Sequence, residues 1–247
     1  MNRKYAILLF LCSIAFGSIN SEKNDNKYSE ILNSILAQYN KSISFTLDAS
    51  HSKMKLLMHV KMMYSKEDSI TRKIFAEFVE PKEVEGMNAW IWDYSDGVSK
   101  VWVTKPSSGK LIDVSNKKDK LPIDISLIQL DESILGQFNT VSDTVEYAGV
   151  EAYVIDFYKI KKSKKMSPIM KIWISSSESQ ILKIEKLSKK GKVISETIFK
   201  EYFKGFPKLI AINEFKDKNE LIINISDYNE SNFEDIDIFQ PIDKKND

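Results

Sequence analysis

Residues 54 to 63 read MKLLMHVKMM, and this stretch decides the fold class. Apolar side chains recur at every second position, namely Met54, Leu56, Met58, Val60 and Met62. The intervening positions include two lysines and a histidine. A period of two is typical of a β-strand that buries one face and exposes the other. The stretch therefore predicts a half-buried strand.

Methionine is an unusual choice for this strand, and four of the eight methionines of the chain lie in these ten residues. Methionine lacks the β-branched side chain that strands favour, so strand propensity does not explain its use. Its long, polarisable side chain adapts to neighbours of different shape. The face therefore fits either an ordinary protein core or a surface that accommodates varying apolar partners.

Strand-like alternation recurs from residue 42 to residue 115 and again from residue 145 to residue 228, with turn sequences such as PSSG between the segments. Two segments depart from it. Residues 28 to 39 (YSEILNSILAQY) place apolar residues at helical spacing, and residues 121 to 138 (LPIDISLIQLDESILGQF) contain helical stretches. The sequence thus predicts a mainly-β fold with few helices, in which about ten or eleven antiparallel strands form one large bent sheet.

The N-terminus has the pattern of a secretory signal peptide. Arg3 and Lys4 precede an apolar run of about a dozen residues, and small residues follow at Ala15 and Gly17. We expect cleavage after Gly17, which leaves residues 18–247 as a single exported domain without the only cysteine, Cys12. Lipidation of Cys12 is the alternative, although no small residue precedes it.

The overall charge indicates which partners to exclude. The formal net charge is +1, so neither nucleic acid nor an anionic membrane is the indicated partner. Residues 159 to 165 (KIKKSKK) are lysine-rich and predict a solvated loop. We expect a soluble monomer.

Groups that could carry catalysis are scarce. Beyond Cys12 there is no cysteine, and the two histidines are His51 and His59, which leaves little for thiol catalysis or a multi-histidine metal site. His59 falls on the polar side of the methionine strand, and we expect it to be solvated. We expect the same of the glutamates of EPKEVEG at residues 80 to 86. The protein is thus predicted to be no enzyme and to hold neither cofactor nor metal.

Tryptophan is concentrated beside the methionine strand. Trp90, Trp92 and Trp102 all fall on predicted strands of the first part of the sheet. Together with the methionines, in a sheet with few helices to cover it, they suggest a concave apolar surface that could be left open.

Five segments, in this order, resemble the LolA-like periplasmic lipoprotein carriers, and in particular the outer-membrane lipoprotein-sorting proteins. They are IFAEFVEPKEVEGMNAWIW, VWVTKPSSGKLIDV, PIMKIWIS, IEKLSKKGKVISETIFKEYF and NFEDIDIFQP, within residues 70 to 241. The resemblance implies a half-open antiparallel β-barrel around an apolar cavity that a helical lid closes. It also implies a carrier that takes acylated lipoproteins from an inner-membrane ABC transporter and passes them to an outer-membrane acceptor.

The resemblance assigns roles to residues of this chain. By its place before KIF, Arg72 is the candidate for the cavity-side arginine that contacts the lid, and the alternative is a register that leaves Arg72 in solvent. The lid is expected to include Leu127, Ile128, Leu130, Ile134 and Leu135. The expected cavity residues are Met54, Leu56, Met58, Val60, Met62, Ile74, Phe78, Trp90, Trp92 and Trp102.

Two other interpretations remain open. An envelope sensor could use the same cavity to detect lipids or lipoproteins. A lipid-anchored acceptor would require modification of Cys12, and mass spectrometry of the mature N-terminus distinguishes this case.

Overall fold

The computed structural model describes residues 30, 31, 34, 41–51, 54–65, 70–94, 98–115, 138–141, 144–158, 167–215 and 219–242. The first seven strands are β1 (Ile43–His51), β2 (Met54–Tyr64), β3 (Ile70–Glu80), β4 (Asn88–Tyr94), β5 (Ser99–Thr104), β6 (Leu111–Asp113) and β7 (Phe138–Val141). The next seven are β8 (Val145–Tyr147), β9 (Val150–Tyr158), β10 (Met170–Ser175), β11 (Ile181–Leu187), β12 (Val193–Phe203), β13 (Phe206–Glu214) and β14 (Asn219–Glu230). A 3-10 helix follows at Asp237–Phe239.

The strands form a 14-stranded sheet in the order β6-β5-β4-β3-β2-β1-β14-β13-β12-β11-β10-β9-β7, and β8 pairs with β9. Every pair whose register is described is antiparallel. The mainly-β antiparallel prediction is confirmed. The predicted strand number was too low. Strand β7 begins at the end of the segment expected to be helical, and β8 spans only three residues, too few to be separated from β9 by their alternation.

Contacts along the backbone group the chain into two compact units. Unit 1 comprises Met1–Ser18, Lys41–Leu130 and Asn224–Asp247, and unit 2 comprises Ile19–Asn40 and Asp131–Ile223. The single domain expected over residues 18–247 stays a prediction, as does the signal peptide, which lies outside the described residues.

The core of unit 2 is one apolar face of its strands. A row of buried residues that face one another across β9 to β13 runs through Ile155, Ile172, Ile184, Thr197 and Ile212. The alternate residues of these strands include Lys171, Glu185 and Glu196, which are half-buried. Unit 2 therefore has the one-sided pattern that strand alternation predicts.

The predicted helix at residues 28 to 39 is described at three positions. Glu30, Ile31 and Ser34 are helical, and Ile31 is buried. The rest of this segment, and residues 121 to 137 of the second predicted helical segment, lie outside the described residues, whereas Phe138 begins β7. Within the described part of the chain, no helix combines the length and the apolar character needed to cross a bilayer.

Candidate functional site

The methionine face consists of alternate residues of β2 and the residues opposite them on β1 and β3. The buried members on β2 are Leu56, Met58, Val60 and Met62. Opposite them lie Ile43, Phe45, Leu47 and Ala49 on β1, and Ile74, Ala76 and Phe78 on β3. The half-buried strand is confirmed, and its apolar face extends over three strands. Met54 belongs to β2 by its backbone, and its side chain lies outside the described part.

The methionine face is closed to solvent. Leu56 and Met58 have 0% of their surface exposed, and Met62 has 2%. A side chain with no exposed area has packing partners on every side, so a ligand can contact this face only after part of that packing opens. The predicted open cavity is therefore not outlined by the described residues.

Arg72 ends the methionine face on β3, where it is 7% exposed. Its Nε and Nη2 atoms donate to Oδ2 of Asp93, on the neighbouring strand β4, at 2.9 and 2.7 Å. The Ser99 hydroxyl donates to the other oxygen of Asp93, Oδ1, at 2.7 Å. The alternative that left Arg72 in solvent is wrong, because the guanidinium has a carboxylate partner inside the sheet.

The predicted contact between Arg72 and the lid stays a prediction. The lid candidates Leu127, Ile128, Leu130, Ile134 and Leu135 all lie outside the described residues. The Asp93 partner was missed by the sequence analysis. An aspartate inside the apolar strand sequence NAWIWDY was the available signal, because a buried carboxylate requires a partner.

The tryptophans lie on the opposite face of the sheet from the methionines. On β4, Ile91 faces Ile74 of the methionine face, and the alternating neighbours Trp90 and Trp92 therefore point the other way. Trp102 faces Trp90 across β4 and β5. The expectation that Trp90, Trp92 and Trp102 share one surface with the methionines is thus wrong.

The C-terminal segment, residues 233–239, covers the tryptophan face, which is the side of the sheet that carries Trp90, Trp92 and Trp102. Phe239, which is 0% exposed, packs with Phe75 and Trp90. The indole N–H groups of Trp90 and Trp92 donate to the carbonyl oxygens of Ile238 and Phe239, each at 2.9 Å. These contacts explain the tryptophans as a structural attachment for the segment.

The arrangement of strands matches solved structures over most of their length. A domain assigned to outer membrane lipoprotein sorting, from Vibrio parahaemolyticus, is 18% identical with a TM-score of 0.66, over 90% of this chain and 98% of that one. A LolA superfamily protein from Nitrosomonas europaea is 16% identical with a TM-score of 0.53, over 85% and 96%. The chain has a LolA-like fold. A DUF1329 family protein from Desulfovibrio piger also shares the LolA-like fold, at 13% identity and a TM-score of 0.64, over 86% of this chain and 96% of that one. No family model matches the sequence, and neither does any curated protein sequence.

Polar candidates on the LolA-like fold lie mostly at its surface. His59 is exposed, as expected for the polar side of β2, and its Nδ1 lies 3.2 Å from the Thr46 hydroxyl. Glu80, Glu83 and Glu85 are exposed too. Among the described residues, no group of three or more His, Cys, Asp or Glu side chains is placed to hold a metal ion.

A charged cluster in unit 2 was missed by the sequence analysis. Lys183 Nζ lies 2.8 Å from Glu185 Oε1 and 3.6 Å from Glu196 Oε2. The same ammonium lies 4.2 Å from the ring centre of Trp173 and 4.9 Å from that of Tyr147. Strand β11 by itself places Lys183 and Glu185 on one side, which the sequence analysis would have interpreted as a solvated face. The pairing of β10, β11 and β12 adds Trp173 and Glu196 to that side.

The cluster alters the acidity of two of its members. Burial by itself lowers the pKa of Lys183, but the hydrogen bond to Glu185 and the nearby negative groups outweigh it and raise the pKa above its ordinary value. Burial raises the pKa of the Tyr147 phenol, and the Lys183 charge opposes that rise. Lys183 therefore remains charged while it compensates two adjacent carboxylates.

Replacing Lys183 with methionine is expected to lower the free energy of unfolding at pH 7 by about 1–3 kcal/mol, because Glu185 and Glu196 lose their shared cation. A raised folded-state pKa contributes stability below the unfolded pKa and loses it as pH rises through the folded one. The difference from the parent should therefore be constant from neutral pH to about pH 10 and shrink above that. Urea unfolding across this pH range measures it, and a constant difference above pH 11 would contradict the assignment.

Proposed function

We propose that this protein is a periplasmic carrier that binds the acyl chains of lipoproteins on the methionine face and moves them from the inner membrane towards the outer membrane. The observation that carries the proposal is the methionine face itself, an unbroken apolar surface over three strands of a LolA-like fold. The proposed role is binding and transfer, without a catalytic step or a cofactor.

Methionine suits this role for a physical reason. Acyl chains differ in length and number, and an unbranched thioether side chain repacks against different partners at low cost. A core that needed only stability would use β-branched residues on a strand. Met58 lies at the centre of the methionine face and Met62 at one end, and an acyl chain bound there would run along the strands.

The closed state of the face supports reversible binding. Burying an acyl chain gains about 0.8 kcal/mol per methylene, so one long chain supplies about ten kcal/mol of gross driving force. A carrier that gained all of it could not release its cargo. Because the empty face is already packed, opening it offsets part of that gain. Loading and release thus remain close in free energy.

The proposed partners rest on the resemblance of the sequence to lipoprotein carriers, which one of the similar structures supports. The Vibrio domain is assigned to outer membrane lipoprotein sorting, and we carry that assignment to this chain as a proposal. The donor would be an inner-membrane ABC transporter that releases lipoproteins, and an outer-membrane acceptor would receive them. Export through residues 1–17 would place the protein, as a monomer, between the two.

The proposal is tested by measuring how much triacylated lipoprotein the purified protein extracts from inner-membrane vesicles. The Met58→Gln/Met62→Gln variant keeps side-chain volume but places two amides against the acyl chain. Because Met58 and Met62 are packed in the empty protein as well, part of the cost of about 1–3 kcal/mol for each unpartnered amide falls on folding. Cargo recovery is therefore normalised to folded protein, and on that basis we expect it to fall by about tenfold. Mass spectrometry of the soluble complex measures the cargo.

The matched control is Leu57→Gln/Met63→Gln, which makes the same change on the other side of the same strand. Both residues are half-buried there. We expect this variant to carry cargo like the parent. Equal losses per folded protein in the two variants would show that the methionine face is not the binding surface, and a parent that extracts nothing would refute the proposal.

A further inference from the structure

One end of unit 2 carries a concentration of positive charge that the near-neutral composition conceals. The turn between β11 and β12 contains Lys189, Lys190 and Lys192, and all three are exposed. The sequence from Lys186 to Ile194, KLSKKGKVI, contains no acidic residue. The formal net charge of the whole chain is only +1, so the positive charge of this turn is a local excess.

The basic turn is held in a defined conformation. The backbone N–H of Ser188 donates to the carbonyl of Lys192 at 2.8 Å, and the N–H of Gly191 donates back to the carbonyl of Ser188 at 2.8 Å. Gly191 has φ +76°, and a Cβ there would lie 3.0 Å from the Ser167 hydroxyl oxygen. The positive φ favours glycine at this position, and the hydrogen-bonded backbone of the turn presents its lysines without a large ordering cost.

An exposed apolar pair adjoins the basic turn. Ile194, two residues after Lys192, is 45% exposed, and Phe215 is 51% exposed. The N–H of Phe215 donates to the carbonyl of Ile194 at 3.1 Å, so the two residues are neighbours at the ends of β12 and β13. Single exposed apolar residues are ordinary, but an adjacent aliphatic and aromatic pair beside three lysines is the composition of an interfacial contact.

We propose that this end of unit 2, formed by Lys189, Lys190, Lys192, Ile194 and Phe215, docks on an anionic membrane surface. The lysine ammonium is a flexible point charge that suits the diffuse negative potential of phosphate headgroups. Ile194 and Phe215 are large enough to enter the headgroup region but too few to anchor the protein permanently. The docking is weak and reversible, and it does not depend on whether the methionine face binds acyl chains.

The test is co-flotation of the full chain with vesicles of phosphatidylglycerol and phosphatidylethanolamine, compared with vesicles of phosphatidylcholine alone. We expect preferential binding to the anionic vesicles that weakens as salt shortens the Debye length from about 30 Å to about 8 Å. The triple variant Lys189→Gln/Lys190→Gln/Lys192→Gln should partition on the order of 100-fold less at low salt. The Ile194→Ser/Phe215→Ser variant should partition onto the anionic vesicles at least about tenfold less than the parent.

The matched control is Lys82→Gln/Lys105→Gln/Lys110→Gln, which removes three exposed lysines from unit 1. It should bind anionic vesicles like the parent, and all variants should melt at the parent temperature. Equal losses in the two triple variants would overturn the proposal, because binding would then follow net charge alone. Binding to polyglutamate without binding to anionic vesicles would also overturn it and would indicate an acidic protein partner.

Discussion

Replacing Asp93 with alanine is expected to lower the free energy of unfolding by about 3–5 kcal/mol, because it leaves the Arg72 guanidinium buried without its carboxylate. Arg72 is 7% and Asp93 1% exposed, so water cannot replace the lost partner. The Arg72→Met variant should be destabilised similarly, since it leaves the Asp93 carboxylate buried without the guanidinium. Urea unfolding measures both effects.

The double variant Arg72→Met/Asp93→Leu distinguishes a lost partner from lost packing. Replacing both charges of a buried pair with apolar side chains is often neutral or stabilising, so the double variant should recover most of the stability. An exposed pair supplies the control. Lys41 Nζ lies 3.0 Å from Glu230 Oε1, and the two side chains are 38% and 37% exposed. Lys41→Met should lower the free energy of unfolding by at most about 1 kcal/mol. A double variant as unstable as the single ones would contradict the compensation argument.

The same double variant also isolates the predicted lid contact of Arg72. With stability restored, a defect in cargo release could no longer be attributed to an unpaired charge. If Arg72 holds the lid closed in the empty state, the double variant should load lipoprotein normally and release it poorly. Unchanged release would leave Arg72 with a structural role only.

Truncating Phe239 to alanine is expected to cost about 3–5 kcal/mol of unfolding free energy, which is typical of removing a buried phenylalanine. Phe239 is 0% exposed, and its ring centre lies 5.2 Å from that of Phe233 in an edge-on arrangement. Loss of the ring should loosen the C-terminal segment from the sheet. Because that segment accepts hydrogen bonds from Trp90 and Trp92, tryptophan fluorescence should shift to the red as their indoles meet water.

The control for Phe239 is Ile236→Ala, in the same segment but 57% exposed. Its unfolding free energy should stay within about 0.5 kcal/mol of the parent. Equal effects of the two substitutions, without a fluorescence change for Phe239→Ala, would show that the segment is not held by its phenylalanine.

The sequence predicted the strands whose two sides differ in polarity. In β2 the alternation of apolar residues with lysine and histidine identified the buried side, and Met58 and Met62 lie there. Strand β4 shows why the same reasoning failed for the tryptophans. Its residues Asn88 to Ile91 are all buried, so alternation carries no information about which side faces the methionines. Only the pairing of Ile91 with Ile74 decides it.

The sequence by itself therefore determined the mainly-β class, the antiparallel arrangement and the methionine face, because these depend on short-range periodicity. Tertiary structure alone decided which polar and charged groups contact one another. Arg72 finds Asp93, 21 residues further along the chain, and Trp90 donates to Ile238, 148 residues away. The lysines of the β11–β12 turn are visible in the sequence, but only the structure places Phe215 beside Ile194 next to them. Side chains distant in sequence come together through strand pairing, and local composition contains no record of that pairing.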